Sequence, residues 1–268
     1  MNAPIPFEKH RFRSAAEHYR KGRPPYALAL FDRVATRLGI NRAHAVLDLG
    51  CGPGQLALGF ARLAGTVTAV DPEPEMLRIA AADAAEAGFE IRFLEGSSYD
   101  IGPTLGRFRL AVIGRAFHWM DRADTLQRLD GMIEADGALA LFGDRHPELH
   151  ENAWRAIYNA VLDKYSAEDS ARRQRKGAAW VEHESMLLAS PFSQLERIGV
   201  IESRRTPVAN IEDRLLSLSS VSRDKIGDRA DAMIAELREQ LAPFVSNGEI
   251  TEIVESQALI AMRPSRQP

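Results

Sequence analysis

The sequence predicts an α/β protein built on a doubly wound, mostly parallel sheet of seven strands, with an N-terminal helical lid and a helical insertion. Two observations predict this class. Between residues 44 and 143, short apolar runs alternate with stretches of helical apolar periodicity, which indicates parallel strands joined by helical crossovers. The first run leads directly into a glycine-rich turn at 50–54, followed by a helical pattern. Open α/β sheets bind their ligands at such turns, outside the carboxyl ends of the strands.

Each element is predicted from its local pattern. Apolar, β-favouring runs predict strands at 44–49, 66–70, 90–94, 110–113, 138–142 and 195–203, with two further runs within 249–262. Apolar residues three and four apart predict helices at 26–38, 56–63, 73–87, 123–133, 211–221 and 228–245. Residues 147–190 carry helical signals only, which predicts an insertion that packs over the sheet.

The composition limits the classes of function. The chain has 268 residues and a formal net charge of −3, whereas proteins that bind nucleic acid through phosphates usually carry a basic surplus. A single cysteine excludes an internal disulfide and a multi-cysteine metal site. No apolar run approaches the roughly 18–20 residues of a membrane span, and Met1 to Arg13 lacks the apolar stretch of a signal peptide. We therefore expect a cytoplasmic protein without a nucleic-acid or membrane partner.

The spacing of the glycines indicates which ligand the turn serves. A dinucleotide fingerprint needs glycine at the first, third and sixth positions, but the sixth position counted from Gly50 is Gln55. The glycines fall instead at Gly50, Gly52 and Gly54, and Asp48 precedes them. This pattern resembles the first motif of the class I S-adenosylmethionine-dependent methyltransferases. The resemblance implies a Rossmann-like fold, S-adenosyl-L-methionine as cofactor and S-adenosyl-L-homocysteine as its product, with Cys51 also in the cofactor loop.

An acidic residue follows the second predicted strand. Asp71 stands where a carboxylate can accept hydrogen bonds from both hydroxyls of a ribose. It matches the ribose-binding acid of the family, and the neighbouring Pro72 and Met76 resemble its usual context. The alternative is that Asp71 caps the following helix. In the family, the position of Asp48 steadies the glycine loop or reaches the methionine part of the cofactor through water.

The third predicted strand leads into a pair of serines. In the family this segment is often Gly-Asp-Ala and contacts the adenine, and Ser97 and Ser98 stand in the matching positions without an acid. Ser97 can accept a hydrogen bond from the adenine amine, more weakly than a carboxylate does. A plain turn is the alternative.

The segment after the fourth strand resembles one branch of the family, the trans-aconitate-methyltransferase-like small-molecule enzymes, which carry a His-Trp dipeptide here. The resemblance places Arg115 and Ala116 beside the methionine part of the cofactor, and Phe117, His118 and Trp119 towards the substrate. His118 is a candidate general base, since its unperturbed pKa lies near neutrality. The alternative is a place in the pocket wall, because methyl transfer needs little beyond alignment of the nucleophile.

Two further segments complete the predicted site. Tyr19 and Arg23 lie in a segment that resembles the same branch, and in that branch the segment folds over the cofactor. The alternative for most of the charged residues in this segment is a solvated helix face. Asp144, Arg145 and His146 end the fifth strand, so they are candidates for substrate contacts. We predict no metal site, because no third ligand accompanies the histidine pair of this region.

These motifs together predict a methyltransferase that acts on a small molecule by in-line displacement at the sulfonium methyl group. The predicted segments are a lid at 1–44, a cofactor-binding core at 45–146, a substrate cap at 147–190 and a completion of the sheet at 191–268. A nucleic-acid methyltransferase and a non-catalytic cofactor-binding domain stay open as alternatives, and a nicotinamide oxidoreductase is a weaker one. A monomer and a homodimer are both open.

Overall fold

The computed structural model describes Glu8 and residues 16–264 of the chain. Within them, the strands join one sheet in the order β3-β2-β1-β4-β5-β8-β6, with β7 paired to β8. The strands are β1 (Ala45–Leu49), β2 (Thr66–Asp71), β3 (Arg92–Glu95), β4 (Phe108–Gly114), β5 (Ile133–Arg145), β6 (Gln194–Pro207), β7 (Val245–Ser246) and β8 (Glu249–Met262). The predicted doubly wound, mostly parallel fold is confirmed. The two apolar runs within 249–262 form the single strand β8, and the two-residue β7 is the one described strand without a predicted counterpart.

The strand order sets where a ligand can bind. Strands β1 to β5 run parallel, whereas β8 runs antiparallel between β5 and β6. The chain leaves β1 towards β2 and β3 on one side and towards β4 and β5 on the other. A crevice therefore opens beyond the carboxyl ends of β1 and β4, where the winding reverses.

Helices cover both faces of the sheet and one of its ends. The helices are α1 (Ala16–Gly22), α2 (Leu28–Leu38), α3 (Gln55–Ala61), α4 (Pro74–Glu86), α5 (Arg122–Asp130), α6 (Trp154–Tyr165), α7 (Ser170–Lys176), α8 (His183–Leu188), α9 (Val208–Leu216), α10 (Arg223–Ile226) and α11 (Arg229–Leu241). Because both faces are covered, β1 and β4 read as nearly continuous apolar runs. Within the described part of the chain, no helix is both long enough and apolar enough to cross a membrane.

Of the predicted lid at 1–44, residues 1–7 and 9–15 lie outside the described residues, and the described part from residue 16 contains two helices with different surroundings. The apolar stripe of α2, which includes Leu30, Phe31 and Val34, is buried in the same cluster as the sheet residues Val112 and Phe142. α2 is therefore a core helix, and the predicted lid is too long. The shorter α1 packs mainly on α9 and carries its C-terminal end to the crevice.

The helical cap also differs from the predicted 147–190 segment. Trp154 and Tyr158 of α6 share an apolar cluster with Leu215 of α9 and Met233 of α11. The cap is thus formed by two insertions, one after β5 and one between β6 and β8. Conversely, α8 packs on the sheet, because Leu187 is buried with Leu47 and Ile113 in an apolar cluster on the face opposite α2, here called the second sheet cluster.

Candidate functional site

The glycine loop that follows β1 is bound to β2 and open towards the crevice. Gly50, Gly52 and Gly54 all adopt left-handed φ angles, of 68°, 53° and 82°. The backbone N–H groups of Gly50 and Cys51 donate to the carbonyl oxygen of Val70 at 2.8 and 3.0 Å. A Cβ on Gly50 would lie 2.8 Å from the Ala116 Cβ, whereas a Cβ on Gly52 would meet no atom within 4 Å. The loop thus presents bare backbone to an open space.

Asp48, in β1 just before the loop, is hydrogen-bonded to α3 just after it and so steadies both ends of the loop. The residue is 1% exposed, and its Oδ2 accepts a hydrogen bond from the Ala57 N–H at 2.8 Å. Burial raises the pKa of Asp48 to about 8, with a smaller contribution from the charge of Asp71, while the Ala57 hydrogen bond opposes the rise. Of its two predicted roles, this geometry favours steadying the loop. Cys51 is also buried at this level.

Asp71 ends β2 beside the glycine loop. Its Oδ2 accepts a hydrogen bond from the Gly52 N–H at 2.8 Å, and its Oδ1 accepts one from the Glu73 N–H at 2.9 Å. Each oxygen keeps a lone pair for a further donor. The residue that precedes α4 as its N-cap is Glu73, without a side-chain cap bond, so Asp71 is not the cap residue itself. Burial raises the pKa of Asp71 to about 6, although both N–H groups act against the rise.

The serine pair after β3 forms a turn closed on itself. The hydroxyl and backbone N–H of Ser97 both donate to Asp100 Oδ2, at 2.7 and 2.8 Å, and the Tyr99 N–H donates to Ser97 Oγ at 3.2 Å. Ser97 and Ser98 are buried and contribute to the lining of neither cavity described below. The contacts favour the plain turn over an adenine contact by these side chains.

The crevice contains a cavity of about 480 Å³, here called the first cavity. It lies between the carboxyl ends of β1, β2, β4 and β5 and the helical cap. Most of the predicted site residues meet there: Tyr19, Arg23, Gly50, Gly52, Asp71, Met76, Arg115, Ala116, His118, Trp119 and Asp144. Gly54 lies beneath the loop as the residue before α3, and Pro72 is half-buried beside Asp71 without lining the cavity.

Arg115 ties the parts of the crevice together. It adopts a left-handed backbone conformation, with φ at 55°, which is uncommon outside glycine. Its guanidinium donates to Asp144 Oδ1 at 2.5 Å, to Gln55 Oε1 at 3.1 Å and to the Pro24 carbonyl at 2.7 Å. Burial alone would raise the pKa of Asp144, but the adjacent Arg115 holds it below its usual value. This buried ion pair joins β4, β5, α3 and the segment after α1.

His118 lies on the cavity wall as a neutral imidazole. Burial, and then the positive charges of Arg175 and its other cationic neighbours, lower its pKa well below the usual value. Its ring lies 4.6 Å from the Trp119 ring and 6.5 Å from the His183 ring. The one unprotonated ring nitrogen permits His118 to accept a proton at pH 7, although the lowered pKa makes it a weak base.

Phe117 differs from its prediction as a substrate contact. It is 3% exposed and belongs to the second sheet cluster, with its ring 5.1 Å from that of His183. It lines neither the first cavity nor the second. In the short 3₁₀ turn Phe117–Trp119, the side chain of Phe117 packs against the sheet, whereas the side chains of His118 and Trp119 line the first cavity.

A second cavity of about 730 Å³ adjoins the first. Arg145 and His146 line this second cavity rather than the first. The Arg145 guanidinium pairs with Glu255 at 2.6 Å. His146 Nε2 lies 2.7 Å from Glu252 Oε2. The two cavities share Arg23, Asp144, Arg155, Leu162 and Leu218 in their walls.

The cap contributes residues that the sequence analysis did not single out. They come from α6, from the segment around α7 and from the turn after α9, and they are Arg155, Leu162, Asp169, Arg175, Leu218, Ser219 and Ser220. A run of four serines between 217 and 222 was a possible signal, since such residues favour turns over helix interiors. Among the described residues, no group of three or more His, Cys, Asp or Glu side chains is placed to hold a metal ion.

Comparison with known proteins agrees with this geometry. Residues 46–137, which span β1 to the start of β5, match a family described as "Methyltransferase domain". The segment that forms the cofactor side of the crevice is thus similar to a methyltransferase domain. This confirms the family and the fold predicted from the glycine loop, and the methyl donor of that family is S-adenosylmethionine. The assignment to the small-molecule branch stays a prediction.

Individual relatives extend the comparison. A malonyl-[acyl-carrier protein] O-methyltransferase of Pseudescherichia vulneris is 31% identical over 144 residues, which cover 52% of this chain and 55% of that protein. The chain spans about half the length of the curated relatives it matches.

Two solved structures share the fold. One is a SAM-dependent methyltransferase from Thiobacillus denitrificans in complex with S-adenosyl-L-homocysteine, with a TM-score of 0.55 at 14% identity over 98% of this chain and 100% of that one. The other, from Geobacter sulfurreducens and with the same ligand, has a TM-score of 0.56 at 14% identity over 97% of this chain and 99% of that one. At such identities the likeness establishes the fold.

Proposed function

We propose that the protein transfers a methyl group from S-adenosylmethionine to a small-molecule acceptor held under the helical cap. The observation that carries the proposal is the first cavity, where Asp71, the bare backbone of Gly52 and the His118 segment meet. The methyltransferase-domain match supports the same reading. The first cavity lies where the strand order reverses, which is where this class of sheet binds ligands.

The residues present fit the cofactor. The open space above Gly52 leaves room for a ligand against the loop, and the free lone pairs of Asp71 suit the two ribose hydroxyls. Arg23 Nε is buried without a hydrogen-bond partner in the described structure, and the guanidinium lies 4.9 Å from the Tyr19 ring centre. This orphaned donor suits the carboxylate of the methionine part. About 480 Å³ is within the range of small-molecule sites.

The chain's own contribution to the reaction is alignment and proton acceptance. When bound, S-adenosylmethionine supplies an electrophilic methyl group on a positively charged sulfur. Ala116 and Gly50 restrict the floor of the cavity, while α6 and the turn at 217–222 line its opposite side and narrow the space in which an acceptor can lie. A nucleophile placed beside His118 can lose its proton to a neutral ring nitrogen of that residue.

The helical cap also favours a small acceptor over a nucleic acid. Residues from both insertions cover the first cavity, and the adjoining second cavity gives an acceptor room beside the cofactor site. A duplex or a folded RNA needs a broad open groove instead. The continuous space between His118 and Arg23 likewise supports transfer over a cofactor-binding domain without activity. The malonyl-[acyl-carrier protein] relative makes a thioester-linked acid a further candidate acceptor.

Calorimetry with S-adenosylhomocysteine, followed by an acceptor screen with labelled cofactor, tests the proposal. Asp71→Ala should weaken cofactor binding by about 1–3 kcal/mol, because the ribose hydroxyls lose their acceptor. Asp100→Ala, which alters the neighbouring turn, is the matched control and should change the affinity less. Absence of binding by the wild-type protein, or unchanged affinity in Asp71→Ala, contradicts the proposed cofactor site.

A further inference from the structure

Arg115 combines a strained backbone with a well-bonded side chain. Its φ of 55° lies in the left-handed region, where the one other described residue that is not glycine is Asn247, in the tight turn between β7 and β8. This conformation costs a long side chain free energy, whereas asparagine and glycine tolerate it. Strained residues persist where their surroundings hold them, and they cluster at ligand sites. The contacts of the Arg115 side chain therefore indicate what the strained conformation achieves.

The Arg115 guanidinium fixes the segment that follows α1. The side chain is 11% exposed, its Nη2 donates to the Pro24 carbonyl at 2.7 Å, and its Cζ lies 4.3 Å from the Tyr26 ring centre. Its other donors bind Asp144 near the end of β5 and Gln55 at the start of α3. Arg115 thus joins this segment to β5 and to the helix that follows the glycine loop.

Two other arginines hold neighbouring carbonyl groups, but from outside the first cavity. Arg214 Nε donates to the Gly22 carbonyl at 2.9 Å, and Arg204 Nη1 donates to the Pro25 carbonyl at 2.7 Å. Neither of them lines the first cavity, whereas Arg115 does. They fix the two ends of the segment, and Arg115 fixes the peptide group between them from the side of the glycine loop.

Arg23 is the residue whose position depends on this contact. It lines the first cavity directly before Pro24, and its Nε is buried without a hydrogen-bond partner in the described structure. A displacement of the Pro24 carbonyl would move the adjoining Arg23 backbone as well. Since hydrogen bonds weaken steeply outside a narrow range of distance and angle, a small movement would remove the contact that Arg23 can make with a ligand.

We propose that Arg115 is a positioning residue: it holds the segment after α1 so that Arg23 meets the carboxylate of the methionine part of the cofactor. This rests on the proposed function, in which Arg23 serves that carboxylate. Arg115 acts on the cofactor through Arg23, because its guanidinium is engaged by Asp144, Gln55 and Pro24.

A double-mutant cycle tests this by calorimetric affinity for S-adenosylhomocysteine in the wild type, Arg115→Gly, Arg23→Ala and the double variant. Glycine adopts a φ of 55° without strain, so Arg115→Gly can keep the backbone conformation and remove the side chain alone. Arg23→Ala should weaken binding about tenfold or more, and Arg115→Gly at least about fivefold, because a charged hydrogen bond is lost. The double variant should bind no more than about twofold more weakly than Arg23→Ala.

A second ligand gives a readout that a merely structural role would leave unchanged. Methylthioadenosine lacks the amino-acid carboxylate, and its binding is measured by displacement of S-adenosylhomocysteine. Arg115→Gly should weaken S-adenosylhomocysteine at least about fivefold more than methylthioadenosine. The control is Arg263→Gln, which should change neither affinity more than about twofold. Arg263 likewise binds a carboxylate and a carbonyl, of Asp130 and Glu134 at 2.7 and 2.8 Å, but lies at the opposite end of β5 from the crevice.

Thermal melts establish that each variant is folded. If Arg115→Gly is not, Arg115→Lys replaces it, because lysine keeps the charge beside Asp144 but lacks the planar fork that also reaches Pro24. The same pattern is then expected with a loss of at least about threefold.

The outcomes separate this inference from the proposed function. Unchanged affinity in Arg115→Gly, an equal loss for both ligands or an equal loss in Arg263→Gln would each overturn the positioning role. A loss that persists in full without Arg23 would also overturn it and would point to the unpaired charge of Asp144 instead. Each of these can occur while the wild type binds S-adenosylhomocysteine, whereas absence of that binding removes the cofactor site itself.

Discussion

Helix α1 holds its position by contact with α9, and a single methyl group should displace it. Gly22, the last residue of α1, lies directly against the backbone of Asp213 and Arg214. A Cβ at this position would overlap the Arg214 backbone nitrogen, and backbone atoms cannot turn aside as a side chain can. We therefore expect Gly22→Ala to move α1 away from α9 by roughly 1 Å or more, the distance that restores van der Waals contact.

The magnitude follows from the contacts that this displacement changes. Overpacking costs about 1–3 kcal/mol. The Arg214 Nε–H to Gly22 carbonyl bond, at 2.9 Å, would also lengthen beyond use, a loss of about 1.5–3 kcal/mol for a charged donor. Intrinsic helix propensity acts in the opposite direction and favours alanine by about 0.5–1 kcal/mol. The clash outweighs it, so the net effect is destabilisation of the docked helix by about 1.5–5.5 kcal/mol.

The functional readout is the affinity for S-adenosylhomocysteine. Because α1 and the residue after it bring Tyr19 and Arg23 to the first cavity, displacement should remove a charged contact and weaken binding about 10- to 100-fold. The control is Gly102→Ala, since Gly102 has an extended φ of −177° and a Cβ there would meet no atom within 4 Å. If calorimetry gives Gly22→Ala an affinity for S-adenosylhomocysteine within about twofold of wild type, α1 does not position the cofactor site as argued.

Three further predictions concern buried and cavity-facing titratable groups. Glu252→Gln should lower the free energy of unfolding in urea by about 3–5 kcal/mol, because Arg214 loses its buried partner, whereas Glu249→Gln breaks an exposed pair and should cost at most about 1 kcal/mol. Burial opposes ionisation of Glu252, but His146 and Arg214 outweigh it and lower its pKa. The stability that the ionised Glu252 contributes is therefore present at neutral pH and is lost as the solution is acidified below the usual range of a carboxyl. A free energy of unfolding of the wild-type protein that is constant down to about pH 3 contradicts this. Cofactor affinity should fall as the pH drops through about 6, because burial raises the pKa of Asp71 to that value and ribose hydroxyls bind the ionised form. Asp71→Asn should flatten the dependence of the calorimetric affinity on pH. An equally steep dependence in the variant counts against Asp71 as the ribose-binding residue. His118→Ala should slow methyl transfer by about 10²–10⁴-fold with unchanged affinity for S-adenosylhomocysteine, and full turnover in the labelled-cofactor assay would place His118 in the pocket wall.

The sequence predicts the cofactor side of the site better than the acceptor side. Gly50, Gly52 and Asp71 were identifiable because one strand, one turn and the end of the next strand are local patterns with fixed spacing. The same holds for the alternating core, whose order of elements leaves few topologies open.

The acceptor side depends on packing between distant segments. Arg155 reaches the cavity only because α6 packs against α9 and α11, and no local pattern reports that contact. Phe117 and His118 are adjacent in sequence but face opposite ways, which depends on a three-residue 3₁₀ turn. The closure of Ser97 on Asp100 likewise depends on a side-chain hydrogen bond that composition does not reveal.

The position of β8 in the sheet has a consequence for how the chain is made. β8 pairs with both β5 and β6, yet it follows both of them in the sequence. During synthesis, the 14 residues of β6 have no partner and one edge of β5 stays open until residues 249–262 emerge. Such unpaired edges are prone to join other chains. The nascent protein therefore passes through an aggregation-sensitive stage, which ends when β8 inserts between β5 and β6.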